Sequence, residues 1–189
     1  MTIPNLLTLF RLGLIAVFGW LMLGPQADLW AAGVLVLAGI TDFLDGELAR
    51  RLGQFSRLGS LLDPAADRLF VLVVVAVTAV RGIVPWWLVV ALVLRDLVLL
   101  ALVPLLRTRG HSSLPVHFLG KAATFTLLCA FPLLVLGDGS GHWHTLARVF
   151  GWAFAGWGLG LYWWSAVMYV GQVRRLVREH PPIGGALDA

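Results

Sequence analysis

Charge is what this chain has little of. Only 13% of its 189 residues are charged, about half of the roughly 25% found in soluble domains. With 59% hydrophobic residues and a mean hydropathy of +0.88, a disordered chain is excluded, because such chains are poor in apolar residues and rich in charge. A soluble monomer is argued against as well, since nine Trp and ten Phe exceed what so small a core can hide. Cysteine is nearly missing. Cys129 alone permits neither an internal disulfide nor a cysteine-based metal site. Lysine is nearly missing too: Lys121 stands against 13 Arg, a usage that fits a GC-rich bacterial gene. No cleavable signal peptide is read, because the N-terminus lacks a basic leader and Arg11 interrupts the first apolar run.

What is present is a series of six apolar segments: about Leu6–Leu23, Leu29–Leu48, Ser60–Val80, Val84–Leu106, Pro115–Leu136 and Leu146–Val173. A helix needs about 20 apolar residues to cross the hydrocarbon layer, so the expectation is an all-α integral membrane protein. It would be a six-transmembrane-helix bundle forming one domain over residues 1–189, with short Pro- or Gly-punctuated connections. Eight Arg fall on one side of these segments and two, Arg81 and Arg148, on the other. The arginine-rich side is the cytoplasmic one. Both termini are then cytoplasmic, and the protein is a multi-pass component of a bacterial plasma membrane. Trp86, Trp87 and Trp143 read as an interfacial aromatic belt. The net charge of +4 and pI of about 10.2 come from the same flanking arginines, so nucleic acid is not an expected partner.

The few charges are concentrated. Residues 42–68 hold nine of the 24: Asp42, Asp45, Glu47, Arg50, Arg51, Arg57, Asp63, Asp67 and Arg68. Acids within an apolar helix cost about 2.5–3.5 kcal/mol each, so something must compensate them. Helical spacing puts Asp42, Asp45, Gly46 and Ala49 on one stripe of the second segment, and Gly59, Asp63 and Asp67 on one stripe of the third. The connection between them is about ten residues long, which makes the two helices antiparallel neighbours with converging carboxylates. Four like charges take up protons unless cations neutralise them, and the oxygen-only donor set suits hard divalent ions, Mg²⁺ or Mn²⁺. Gly46, Ala49, Gly59 and Ser60 leave room beside the acids for a ligand or for close helix packing. Two other readings stand beside this one. Asp–Arg ion pairs, with Arg50 or Arg68, could merely knit two helices, or the acids could line the ion path of a transporter.

The run Asp42-Phe43-Leu44-Asp45-Gly46-Glu47-Leu48-Ala49-Arg50, eight residues, then Gly59-Ser60-Leu61-Leu62-Asp63-Pro64-Ala65-Ala66-Asp67 resembles the signature of the CDP-alcohol phosphotransferase family at every fixed position. The N-terminal Ile3-Pro4-Asn5 to Arg11 stretch and the six-segment layout extend the resemblance over nearly the whole chain. The resemblance implies transfer of a phosphatidyl group from CDP-diacylglycerol to an alcohol, with release of CMP at the cytoplasmic face. It implies two divalent metals held by Asp42, Asp45, Asp63 and Asp67, with Asp67 as base for the acceptor hydroxyl. It further implies CDP-lipid binding by Gly46, Ala49, Arg50, Gly59 and Ser60.

For the acceptor, Arg95-Asp96 resembles the Arg–acid pair of phosphatidylglycerophosphate synthases, and Gly120-Lys121-Ala122-Ala123-Thr124 resembles their Gly-Lys-x-Lys-Thr segment. Two positions that carry further cations in those enzymes are Leu102 and Ala123 here. The remaining pair, Arg95 and Lys121, looks like the cardiolipin-forming branch of the family, whose acceptor is phosphatidylglycerol. Glycerol 3-phosphate is the alternative acceptor. Arg95 could instead serve only to pair with an acid or a helix carbonyl, and Lys121 only to snorkel. Gly151, Gly156, Gly158 and Gly160 form a small-residue stripe read as close helix packing or a dimer face. The family's habit of dimerising implies a homodimer, with membrane lipids as its surroundings.

Overall fold

The computed structural model describes residues 3–52, 59–107 and 118–179, and the side chains of residues 9–41, 68–102 and 119–176. Six helices account for nearly all of it: α1 (Ile3–Leu23), α2 (Asp28–Leu52), α3 (Gly59–Val80), α4 (Trp86–Arg107), α5 (Phe118–Leu136) and α6 (His142–Glu179). The expected all-α class and six-helix order therefore hold. The last helix is longer at both ends than its apolar run suggested.

Local chemistry sets the boundaries. At the end of α3, the Gly82 N–H bonds the Ala79 carbonyl and the Ile83 N–H reaches back to Thr78, both at 3.0 Å. This is a Schellman closure, and it needs the positive φ of 75° at Gly82, which glycine adopts without strain. Pro85 follows and cannot extend the helix. At the end of α1, Pro25 stops the helix, and the left-handed position, φ 54°, falls on Gln26. The Ala27 N–H turns back onto the Leu21 carbonyl at 3.1 Å, and Asp28 then opens α2, where an acid suits the helix N-terminus.

α1 packs on α2 and α3, α5 lies along α6, α2 also packs on α5, and α4 joins α3 to α6. Their shared core is built from Phe18, Met22, Leu35, Val74, Val75, Leu88, Leu127 and Leu134, all nearly inaccessible. Arg11, which interrupts the first apolar run, is buried at 5% exposure. Large apolar side chains also cover the outside, among them Trp20, Leu29, Trp30, Trp143, Trp157 and Trp164. An apolar surface this extensive marks a contact face for lipid or protein.

The six-span expectation is corrected here. Among the described residues, one stretch, Leu119–Leu136 in α5, is long and apolar enough to cross a membrane. Among the described side chains, the apolar stretches of α1, α2 and α3 are Leu9–Leu23, Asp28–Thr41 and Arg68–Val80. In α6, Gly, Trp, Tyr and His take the places that aliphatic residues fill in a span. The multi-pass plasma-membrane placement, and the cytoplasmic assignment of the termini and of the site that followed from counting spans, fall with it.

The glycine stripe of α6 divides between two faces. A Cβ on Gly151 would meet the Leu134 side chain at 2.9 Å, and one on Gly158 would meet Leu127 at 2.8 Å. These two glycines, two turns apart, let α6 lie against α5. Gly156 and Gly160 have nothing within 4 Å and face away from that contact.

Candidate active site

Arg81 ties together one end of the helices that carry the acidic stripes. Its Nη1 bonds Asp28 at 2.8 Å and the Met22 carbonyl at 3.2 Å, and its Nη2 bonds Asp138 at 3.0 Å. The start of α2, the end of α3, the end of α1 and the turn after α5 are thereby tied at one end of the molecule. α2 leaves this end and α3 returns to it, so the two run antiparallel. Asp42 is fourteen residues beyond Asp28, and Asp67 is fourteen before Arg81. At 1.5 Å per residue both lie about 21 Å from the Arg81 end. Asp45 and Asp63 lie about one further turn away. The backbone is helical at all four positions, so 42, 45, 46 and 49 share a face of α2, as 59, 63 and 67 share one of α3.

The side chains of Asp42, Asp45, Gly46, Ala49, Arg50, Gly59, Ser60, Asp63 and Asp67 lie outside those described. Among the described residues α2 and α3 do not pack on each other directly; both lean on α1 and α5. Among the described residues no group of three or more His, Cys, Asp or Glu side chains gathers. The donor types of the two stripes are all carboxylate, the hard oxygen set that fits Mg²⁺ or Mn²⁺.

The two cations singled out in the sequence fare differently. Lys121 is exposed on α5, fifteen residues from the end of that helix, or about 22 Å from the Arg81 end. α2 and α5 approach closely where a Cβ on Gly39 would meet Leu128 at 2.9 Å. Seven residues further along each antiparallel helix, position 46 and Lys121 come level. Lys121 therefore stands at the depth of the acidic stripe.

Arg95 is buried at 9% exposure and bound on every side. Its Nη1 donates to Asp96 Oδ1 at 2.9 Å, its Nη2 to Ser165 Oγ at 3.0 Å and its Nε to the Tyr162 carbonyl at 3.4 Å. The Tyr162 ring lies beneath the guanidinium, 3.7 Å from Cζ to the ring centre. The Tyr162 hydroxyl donates to the same Asp96 oxygen at 2.8 Å. The cluster thus joins α4 to α6.

Tyr162 and Ser165 have no counterpart in the sequence reading. The signal available was faint: Tyr162 is one of only two tyrosines, and it lies 67 residues from Arg95.

Comparison with known proteins shows the family. Residues 1–170 match the CDP-alcohol phosphatidyltransferase family, and the chain belongs to it. It is accordingly a CDP-diacylglycerol-dependent phosphatidyltransferase of phospholipid synthesis, and enzymes of this family use divalent cations. The transporter alternative ends there.

The CMP-forming cardiolipin synthase of Streptomyces coelicolor is 56% identical over 183 residues, covering 94% of this chain and 85% of that one. A Mycobacterium tuberculosis protein provisionally named as a cardiolipin synthase is 44% identical over 98% of this chain and 88% of its own. The Cereibacter sphaeroides CDP-diacylglycerol–glycerol-3-phosphate 3-phosphatidyltransferase is 36% identical over 78% of this chain and 69% of its own.

Proposed function

We propose that this enzyme makes cardiolipin by moving the phosphatidyl group of CDP-diacylglycerol onto a hydroxyl of phosphatidylglycerol. The observation that carries the acceptor is the state of Arg95. Three of its five N–H donors are committed to Asp96, Ser165 and the Tyr162 carbonyl, so most of its charge is already answered. Of the acceptor-side pair, Lys121 is the exposed cation. The positions where phosphatidylglycerophosphate synthases carry further cations are Leu102 and the fully buried Ala123. A phosphomonoester brings a charge of about −1.5 to −2 and needs several cations, whereas a phosphodiester brings one negative charge. The names of the Streptomyces and mycobacterial relatives support the same acceptor.

In this reading Asp67 accepts the proton of the acceptor hydroxyl as its oxygen attacks the phosphatidyl phosphorus. The bond from that phosphorus to the bridging oxygen breaks, and CMP leaves with the electron pair. Asp42, Asp45, Asp63 and Asp67 would hold two divalent ions, Mg²⁺ or Mn²⁺. When bound, such ions stabilise charge on the phosphoryl oxygens and on the departing phosphate. Arg50 would offer its planar fork of donors to the diphosphate, and the small residues Gly46, Ala49, Gly59 and Ser60 would leave space for the CDP head. Arg95 and Lys121 face the acceptor. A homodimer belongs to the same proposal, supported by the open flanks of Gly156 and Gly160 on α6.

The test is CMP release by the purified protein supplied with CDP-diacylglycerol, Mg²⁺ or Mn²⁺, and phosphatidylglycerol. CMP above the level of an Asp67→Asn control is expected; release equal to that control contradicts the proposal.

A further inference from the structure

We propose that Tyr162 and Ser165 are positioning residues that hold Arg95 and Asp96 as a closed, charge-compensated pair, and that this compensation disfavours phosphomonoester acceptors. The inference rests on the reading of Arg95 as an acceptor-side residue and adds what controls it.

The geometry is specific. Asp96 Oδ1 receives two donors, Arg95 Nη1 at 2.9 Å and the Tyr162 hydroxyl at 2.8 Å. The Tyr162 ring covers one face of the guanidinium at 3.7 Å. Ser165 takes Nη2 at 3.0 Å while its own hydroxyl donates to the Tyr162 carbonyl at 3.3 Å. Each member therefore fixes another, and α6 supplies both groups that keep the α4 pair shut. The Arg95 and Asp96 side chains are only 11% and 21% exposed, so water screens the pair weakly.

A dianionic phosphomonoester reaching this wall gains little from a guanidinium already paired, and it meets the Asp96 carboxylate. A phosphodiester meets half that repulsion, and the hydroxyls of its glycerol group can donate to a carboxylate. Such charge placement acts on partner choice more than on raw affinity.

The experiment compares kcat/KM for glycerol 3-phosphate with kcat/KM for phosphatidylglycerol in the full-length protein. Asp96→Asn keeps the shape and removes the negative charge; it is expected to raise the glycerol 3-phosphate to phosphatidylglycerol ratio by about tenfold. Tyr162→Phe keeps the ring and removes the hydroxyl, and Ser165→Ala removes the second clamp. Each should move the ratio the same way by about threefold, with Ser165→Thr restoring it.

A purely structural role would lower thermal stability without moving the ratio, and that result overturns the proposal. So does an Asp96→Asn enzyme that refuses glycerol 3-phosphate as firmly as the native one. Should Asp96→Asn fail to fold, the Tyr162→Phe/Ser165→Ala double variant decides by the same ratio. Arg95→Met separates the two layers. An unchanged KM for phosphatidylglycerol in that variant removes Arg95 from the acceptor side. A raised KM alongside an unmoved Asp96→Asn ratio removes only the charge compensation.

Discussion

Two arginines organise two regions of this molecule in different ways, Arg81 at one end and Arg95 midway along α4. Arg81 divides its fork between two carboxylates from separate connections, Asp28 and Asp138, and adds the Met22 carbonyl. It holds helix ends together, and its partners lie 53 to 59 residues away in the chain. Arg95 takes its acid from the next residue and its remaining contacts from one turn of α6. It closes on itself, and little of its charge is left to point outward. The same side chain thus ties helix ends in one place and sets local charge in the other. The helix register puts positions 42 and 67 at the same depth, about 21 Å from the Arg81 end.

Substitutions can break this division of labour. The largest effect is expected at the acidic stripe: Asp67→Asn should lower the rate of CMP release by about 10²–10⁴-fold, the usual reach of a lost general base, with little change in thermal stability. Arg81→Met should do the reverse. It leaves Asp28 and Asp138 without their shared cation, and these acids are 28% and 37% exposed. A loss of about 1–2 kcal/mol lies between the surface and buried limits. Denaturation in detergent measures it, and the acceptor ratio should stay at the native value. A changed ratio in Arg81→Met would erase the distinction between the two regions.

Smaller effects are expected on α6. Gly158→Ala forces a Cβ onto Leu127 of the core and should cost about 1–3 kcal/mol as overpacking. Gly156→Ala meets open space and should be neutral or stabilising by up to about 1 kcal/mol through helix propensity. If the homodimer uses that face, Gly156→Ala weakens self-association in analytical ultracentrifugation. Unchanged self-association speaks against that face.

Much of the fold was legible because its punctuation is chemical. Gly24-Pro25, Gly82 with Pro85, and Gly137 to Gly141 end or separate helices for local reasons. The acidic stripes were legible for the same reason, since i, i+3 and i+4 spacing is a local property. What escaped depends on distance in the chain. No local signal pairs Arg95 with Ser165, 70 residues on, and Arg81 read as a loop charge because its three partners sit around two distant connections, α1–α2 and α5–α6. The glycine stripe read as one face, whereas Gly151 and Gly158 are used by α5 and Gly156 and Gly160 are not. The count of spans failed on composition: apolar runs were measured by length, while aromatic and glycine positions in α6 lower what hydrocarbon would accept.

The most direct test of the account is a competition. The purified enzyme is given CDP-diacylglycerol, a divalent cation, and phosphatidylglycerol and glycerol 3-phosphate together at equal concentration, and the lipid products are read by mass spectrometry. The account predicts cardiolipin, formed in step with CMP, in large excess over phosphatidylglycerophosphate. Phosphatidylglycerophosphate without cardiolipin would contradict it.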